Sequence, residues 1–208
     1  MIYTKKQIKE LDRISRLKII NSVTGIKPAN LIGTINNKGE TNLAIFSSVV
    51  HLGSNPPLLA FVSRPRRKDF GHTYHNIQEN SQYTLNHVHP EFIKNAHYTS
   101  AKFEAKVSEF ERCNFTEEYH ENFKAPFIKE STFKMGMSFK EAIEIKSNGT
   151  ILIVGEIEYL LFPDAAMVAE EIDLELSNSV GISGLNSYYA LKKLDSFPFA
   201  RVHEVPEF

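Results

Sequence analysis

Asn42 to Thr73 reads NLAIFSSVVHLGSNPPLLAFVSRPRRKDFGHT and contains two apolar runs joined by a turn at residues 54–57. Each run has the length and composition of a buried strand. The first run, residues 43–52, carries the adjacent hydroxyls of Ser47 and Ser48 near its centre. Because side chains alternate between faces along a strand, one of these hydroxyls can stay within the sheet while its neighbour faces a ligand.

The second run ends in a group of side chains that suit an anion. Ser63 and Arg64 follow this run directly, and His72 and Thr73 come at the predicted start of a short helix, with Thr73 as its N-cap. Hydroxyls, guanidinium groups and the free amides of a helix N-terminus are the groups that hold a phosphate. We therefore predict that this stretch forms the phosphate end of a cofactor site. The basic residues at 66–68 are predicted to belong to a solvated surface loop.

Composition limits the classes of protein to consider. Hydrophobic residues make up 42% and charged residues 24% of the 208 positions, as in an average soluble protein, so we expect one domain over residues 1–208. A formal net charge of −1 argues against nucleic acid as a partner. Apolar runs of about ten residues are too short to cross a membrane. Cys113 is the single cysteine, which excludes an intrachain disulfide. The first residues are basic and lack the apolar core of a signal peptide, which favours a cytoplasmic protein.

The rest of the chain predicts strands joined by hairpins, with helices outside them. An amphipathic helix is predicted over 4–20, and the alternation of apolar and polar residues over 133–145 is the clearest strand pattern. The predicted strands are 31–35, 42–52, 58–62, 83–88, 133–145 and 151–162. This succession predicts a mainly β fold, an antiparallel barrel rather than alternating βαβ units. The extension at 165–208 is predicted to add a short polar helix at 188–194 and no new core.

Motifs for other kinds of site are weak or missing from the sequence. No glycine-rich loop of the GxGxxG or Walker type occurs, so a bound nucleotide is not held in the Rossmann manner. Two pairs of histidines, His72 with His75 and His87 with His89, have a spacing that a metal site can use. Because no acidic or third histidine ligand follows at a recognisable spacing, we expect ordinary hydrogen-bonded histidines and no metal.

Several segments, in their order and spacing, resemble a known family. The segments are KPANLIGT at 27–34, TNLAIFSS at 41–48, NPPL at 55–58, HTYHNI at 72–77, YTLN at 83–86, APFIKES at 125–131 and GEI at 155–157. They resemble the flavin reductase-like domain of the FMN-binding split-barrel superfamily. The resemblance implies a homodimer of six-stranded antiparallel split β-barrels of Greek-key type, with peripheral helices and one FMN per subunit near the dimer interface. It also implies a reaction in which NADH or NADPH reduces the flavin.

The resemblance implies roles for nine residues. The strand residues beside the flavin ring would be Ala44, Ile45, Phe46, Ser47 and Ser48. The residues at the phosphate would be Arg64 and Thr73, with Ser63 and His72 nearby. No catalytic side chain is required, because a flavin itself carries the hydride and electron chemistry.

One motif of the family differs in this chain. Many of its reductases have an Asp-His pair just before the strand that ends in Gly-Glu, where this sequence has Asn148, Gly149 and Thr150. The first hypothesis is an FMN-dependent oxidoreductase that uses NADH or NADPH to reduce flavin or a small acceptor. The missing histidine supports the alternative of a non-catalytic protein that carries, stores or senses FMN. A third interpretation is a barrel that only assembles with partners and binds no ligand.

Overall fold

The computed structural model describes residues 1–65, 71–104 and 106–207, and an antiparallel sheet of seven strands forms its centre. In chain order the strands are β1 (Lys27–Pro28), β2 (Asn30–Ile35), β3 (Thr41–Phe46), β4 (Val50–Ser54), β5 (Pro57–Ser63), β6 (Gln82–His87), β7 (Glu117–Glu118), β8 (Phe127–Ile128), β9 (Lys134–Ile145), β10 (Thr150–Leu161), β11 (Met167–Val168), β12 (Glu171–Ile172), β13 (Val180–Ser183) and β14 (Ser187–Ala190).

The central sheet is rolled. Its strands follow the order β3-β2-β6-β9-β10-β5-β4, so the long β9–β10 hairpin lies in the middle and β3 and β4 form the two edges. These edge strands are consecutive in the chain and are separated only by the link Ser47–Val49. Because the four Cα steps from Phe46 to Val50 span at most about 15 Å, the two edges must lie close together. We call this place, formed by the link and the two edges, the seam.

The seam explains why the sheet has seven strands where six are expected. The mainly β fold with peripheral helices is confirmed, but the run predicted as one strand at 42–52 forms β3 and β4. Between them, the hydroxyl of Ser48 donates to the carbonyl of Val62 at 3.2 Å and accepts from the amide of Val62 at 3.1 Å. These two hydrogen bonds tie the link to β5, so the chain leaves one edge of the sheet and begins the other.

The N-terminal helix is also broken, contrary to the prediction of one helix over 4–20. The α-helices are α1 (Lys5–Glu10), α2 (Arg13–Ser22), α3 (His72–Asn80), α4 (Ile93–Tyr98) and α5 (Glu109–Arg112), and 3-10 turns occur at Pro90–Phe92, Asp164–Ala166 and Val202–Glu204. The carboxylate of Asp12 accepts hydrogen bonds from the amides of Ile14 at 2.9 Å and Ser15 at 3.0 Å. Asp12 therefore caps a new helix instead of continuing the first one. Among the described residues, no helix combines the length and the apolar character needed to cross a membrane.

Buried side chains cover both faces of the sheet. The neighbours Leu31 and Ile32 of β2 belong to two different apolar clusters, as the alternation of faces along a strand requires. The cluster around Ile32 contains Phe61 and Tyr83, which are 1% and 0% exposed. Gly155 of β10 lies so close to this cluster that a Cβ atom there would overlap the hydroxyl of Tyr83.

The C-terminal extension adds to the core, contrary to the prediction. β13 pairs with β1 on one side and β14 on the other. Val180 and Ile182 of β13 are both 3% exposed and pack in the cluster of Leu31. The prediction of a helix at 188–194 is wrong, because Ser187–Ala190 forms strand β14 instead.

Candidate functional site

A cavity of about 300 Å³ lies at the seam, where the ends of β3 and β5 meet the start of α3. All nine residues given roles by the resemblance line this one cavity: Ala44, Ile45, Phe46, Ser47, Ser48, Ser63, Arg64, His72 and Thr73. The hypothesis of a phosphate end requires Arg64 and Thr73 to share a site, and both reach the same cavity. That they bind a cofactor stays a prediction.

The adjacent hydroxyls at the seam have different environments. Ser48 is engaged with both backbone groups of Val62. Ser47 is half-buried, lines the cavity and makes no hydrogen bond within the described part of the chain. Of the two, Ser47 is therefore the hydroxyl that a ligand can engage, while Ser48 holds the link in place.

The outer edge of β3 forms another wall of the cavity. The amide of Leu43 donates to Oε2 of Glu109 at 3.1 Å, so this amide points away from β2. In an antiparallel strand every second amide points the same way, so the amide of Ile45 also faces outward. Glu109 begins α5, is 5% exposed and lines the cavity. The edge therefore offers backbone hydrogen-bonding groups and a buried carboxylate to a ligand.

The start of α3 brings helix amides to the same cavity. Gly71 precedes the helix with φ 82°, a left-handed conformation that favours glycine. The prediction that Thr73 is the N-cap is wrong, because Gly71 is the N-cap and Thr73 lies in the first turn. The hydroxyl of Thr73 accepts a hydrogen bond from Nδ2 of Asn42 at 3.1 Å, and both side chains are buried. No described side chain caps α3, so its first turn directs a positive dipole end at the cavity.

Arg64 lies at the exposed end of β5. Its guanidinium group donates to Oδ1 of Asn21 in α2 at 3.3 Å. Helix α2 therefore reaches the candidate phosphate end. The residues at 66–68, predicted to form a surface loop, lie outside the described residues.

Sequence reasoning missed part of the cavity wall. The further lining residues are Asn42, Val62, Pro65, Gly71, Thr99, Ser100, Ala101, Phe103, Glu109 and Leu185. Two of them had a usable signal, because Gly71 precedes a helix and Asn42 is a polar residue inside an apolar strand. The segment 99–103 and Leu185 come from distant parts of the chain, and no local pattern marks them.

The histidine pair at 87 and 89 fixes the C-terminal extension. Nδ1 of His87 shares a hydrogen bond with the hydroxyl of Ser179 at 2.8 Å. Nε2 of His89 accepts from the amide of Thr132 at 3.0 Å, so its Nδ1 donates to the carbonyl of Asn178 at 2.9 Å. Burial, and then the neighbouring His89, lower the pKa of His87 to about 4. Within the described residues, no cluster of three or more His, Cys, Asp or Glu side chains is arranged to hold a metal ion.

The residues at the family's Asp-His position form a turn. Oδ1 of Asn148 accepts from the amide of Thr150 at 3.1 Å and from its hydroxyl at 2.8 Å. Gly149 has φ +70° and completes the turn between β9 and β10. None of these three described residues lines the cavity at the seam.

The class that the structure defines is a mainly β protein with peripheral helices and a cavity where the edge strands of its antiparallel sheet meet, and sequence comparison identifies the family. The family model "Flavin reductase like domain" matches residues 26–169, so the chain belongs to this family.

Solved structures and a curated relative are also similar to this chain. A candidate flavin reductase with a split barrel domain from Shewanella frigidimarina NCIMB 400 is 43% identical, with 96% of this chain and 100% of that chain covered and a TM-score of 0.91. Nitrilotriacetate monooxygenase component B from Bacillus cereus shares the fold at 17% identity and a TM-score of 0.84, covering 95% of this chain and 98% of its own. An uncharacterized protein of Aquifex aeolicus strain VF5 is 29% identical over 160 residues, covering 70% of this chain and 81% of the relative.

Proposed function

We propose that this protein is an FMN-binding oxidoreductase that uses NADH or NADPH to reduce its flavin or a small acceptor. The observation that carries the proposal is the convergence of nine residues between 44 and 73 on one cavity. Membership of the flavin reductase family supports a flavin as the ligand. At about 300 Å³ the cavity lies at the lower end of the range for small-ligand sites.

The donor groups of the cavity fit FMN at both of its polar ends. Arg64, the hydroxyl of Thr73 and the first turn of α3 suit a phosphate. The outward amide of Ile45 and the hydroxyl of Ser47 suit the polar edge of a flavin ring. A flat apolar ring also needs apolar contacts, and Ala44 and Phe46 lie on the same wall.

A bound flavin would supply the hydride and electron chemistry itself. The residues of this chain then have the tasks of binding the flavin, orienting its ring and excluding water from one side. The carboxylate of Glu109 accepts a hydrogen bond from the amide of Leu43. This bond fixes the edge of β3, which is the wall proposed to lie along the ring. Backbone groups held in this way are preorganised and need no rearrangement on binding.

We further propose that two copies of the chain form a homodimer. Large apolar side chains remain exposed on α2 and in the C-terminal tail: Ile14 is 64%, Leu17 40%, Phe197 82% and Phe199 86% exposed. Exposed apolar groups on this scale are typical of an interaction surface. Light scattering on the protein as it elutes from a size-exclusion column should give twice the mass of one chain, which is 23.7 kDa. A monomer at all concentrations would contradict the dimer.

The function is tested with freshly purified protein and added cofactors. We expect the protein to bind FMN, seen as quenching of flavin fluorescence, and NADH or NADPH to bleach the bound flavin without oxygen. Arg64→Met should weaken FMN binding about tenfold or more through the loss of a charge-assisted hydrogen bond and leave riboflavin binding almost unchanged. A protein that remains colourless after incubation with FMN would refute the proposal.

The second candidate is a protein that carries, stores or senses FMN without catalysis. The turn at Asn148–Thr150 favours it, because the side chains at this position bond to each other. The bleaching experiment separates the two candidates. Flavin that binds tightly but stays oxidised under excess NADH and NADPH would support the carrier and exclude the reductase.

A further inference from the structure

Lys27 of β1, the first residue of the segment KPANLIGT, is a cation outside the nine residues given roles above. It is half-buried, and its ammonium group donates to the carbonyls of Asn21 at 2.8 Å and Gly184 at 3.1 Å. An ammonium group has three donors, so one N–H remains after these two bonds. Two backbone carbonyls satisfy hydrogen bonds but do not neutralise a charge.

A second cation lies beside it. Arg64 donates to the side chain of Asn21, while Lys27 donates to the backbone carbonyl of the same residue. Burial, and then the positive charge of Arg64, lower the pKa of Lys27. Within the described residues neither cation forms an ion pair with a carboxylate. Two like charges held together in this way are unfavourable unless an anion accompanies them.

One member of this pair, Arg64, connects it to the cavity. Arg64 lines the cavity directly, and Leu185, which follows Gly184 in the chain, lines it as well. At the Arg64 end of the cavity, Lys27 therefore links α2 to the turn between β13 and β14, while Arg64, which follows β5, donates to the same residue of α2. This end coincides with the phosphate end of the proposed function.

We propose that Lys27 is a second cation for the phosphate of the ligand, acting beside Arg64, and that it makes the site selective for a phosphorylated flavin over riboflavin. This inference rests on the proposed function for the identity of the flavin. A phosphate dianion carries enough charge for both cations, and its oxygens can accept from both groups. Riboflavin has the same ring and no phosphate, so it gains nothing from either cation.

The test compares Lys27→Met with Lys27→Arg, which keeps the charge. The matched control is Lys18→Met, which removes an exposed lysine from the same N-terminal region. The dissociation constants of FMN and riboflavin are measured by quenching of flavin fluorescence. We expect Lys27→Met to weaken the binding of FMN about tenfold and that of riboflavin less than about twofold. The dissociation constants of Lys27→Arg and Lys18→Met should stay within about threefold of those of the unmodified protein. An equal loss for both flavins, or a loss below twofold for FMN, would overturn the inference.

A second measurement decides the case in which the unmodified protein binds no flavin. That result would refute the proposed function, but the cation pair can still be probed with inorganic phosphate. At matched ionic strength, phosphate in place of chloride should raise the melting temperature of the unmodified protein by about 3 °C and have no such effect on Lys27→Met. An identical response of the two proteins to phosphate would show that Lys27 binds no anion.

Discussion

The two serines of the seam allow a test that separates a structural hydroxyl from a ligand-facing one. Each serine is replaced by alanine, which removes only the side-chain hydroxyl. Ser48→Ala removes the two hydrogen bonds between the link and Val62, at 3.2 and 3.1 Å. Ser47→Ala removes a hydroxyl that lines the cavity and makes no hydrogen bond within the described residues. The two substitutions delete the same atom from neighbouring positions, so each is the control for the other.

The expected loss of stability follows from the bonds that disappear. Each intramolecular hydrogen bond contributes about 0.5–1.5 kcal/mol, and leaving a buried amide without a partner costs about 1–3 kcal/mol. Val62 is only half-buried, so water can satisfy part of the lost bonding. We therefore expect Ser48→Ala to lower the free energy of unfolding by about 2 kcal/mol, which for a chain of this size is a fall of about 4–8 °C in melting temperature. Ser47→Ala should change the free energy by less than about 0.5 kcal/mol.

The assay combines unfolding with ligand binding. Because the chain has no tryptophan, unfolding in urea is followed by far-ultraviolet circular dichroism. FMN binding is followed by flavin fluorescence, and Ser47→Ala should weaken it about fivefold, the loss of one neutral hydrogen bond. If Ser47→Ala destabilises the protein as much as Ser48→Ala, or leaves FMN affinity unchanged, the assignment of the two hydroxyls is wrong.

Three further predictions concern the rest of the fold. His87 has its pKa lowered to about 4 by burial and then by the adjacent histidine, so the folded state prefers the neutral ring; stability is full above pH 6.5 and falls as the pH drops towards 4. Urea unfolding should show a loss of about 2 kcal/mol between pH 7 and 5 that His87→Asn reduces, and an unchanged pH profile would contradict it. Gly155→Ala should lower the free energy of unfolding by more than about 2 kcal/mol in the same assay, because its methyl group overlaps Tyr83; a change below 0.5 kcal/mol would show that the core adapts. Ile182→Ala should cost about 2–4 kcal/mol because it leaves a cavity in the core, whereas Leu194→Ala, at a position 90% exposed, should be neutral; equal effects would remove the extension from the core.

The sequence predicts which residues share a cavity better than it predicts the boundaries of the strands. The nine residues between 44 and 73 are close in the chain, and two hairpins and one helix are enough to bring them to one cavity. Alternation of faces also predicts that one of Ser47 and Ser48 is engaged by the sheet. It cannot say which one, because that depends on the approach of Val62 from another strand.

The errors arise where distant parts of the chain override local pattern. The apolar run at 42–52 looks like one strand, but the bonds from Ser48 to β5 split it. The extension after residue 165 has many apolar residues but no long alternating run of them in sequence, yet Val180 and Ile182 alternate with period two and pack with Leu31 of β2 in the core. The break at Asp12 is a local error, since an acidic residue followed by a helical segment is a usable capping signal.

The order of strands in the sheet has a consequence for how this protein is made on the ribosome. Residues 30–63 can form the two hairpins that carry both edges as soon as they emerge, but in the finished sheet β6 and β5 are separated by β9 and β10. The sheet stays incomplete on that side until residue 161 has been synthesised. The nascent chain therefore exposes unpaired edges over nearly a hundred residues of translation, and such edges favour aggregation. Chaperone demand during expression should accordingly be set by the second half of the chain, although nine residues of the cavity wall are translated between positions 44 and 73.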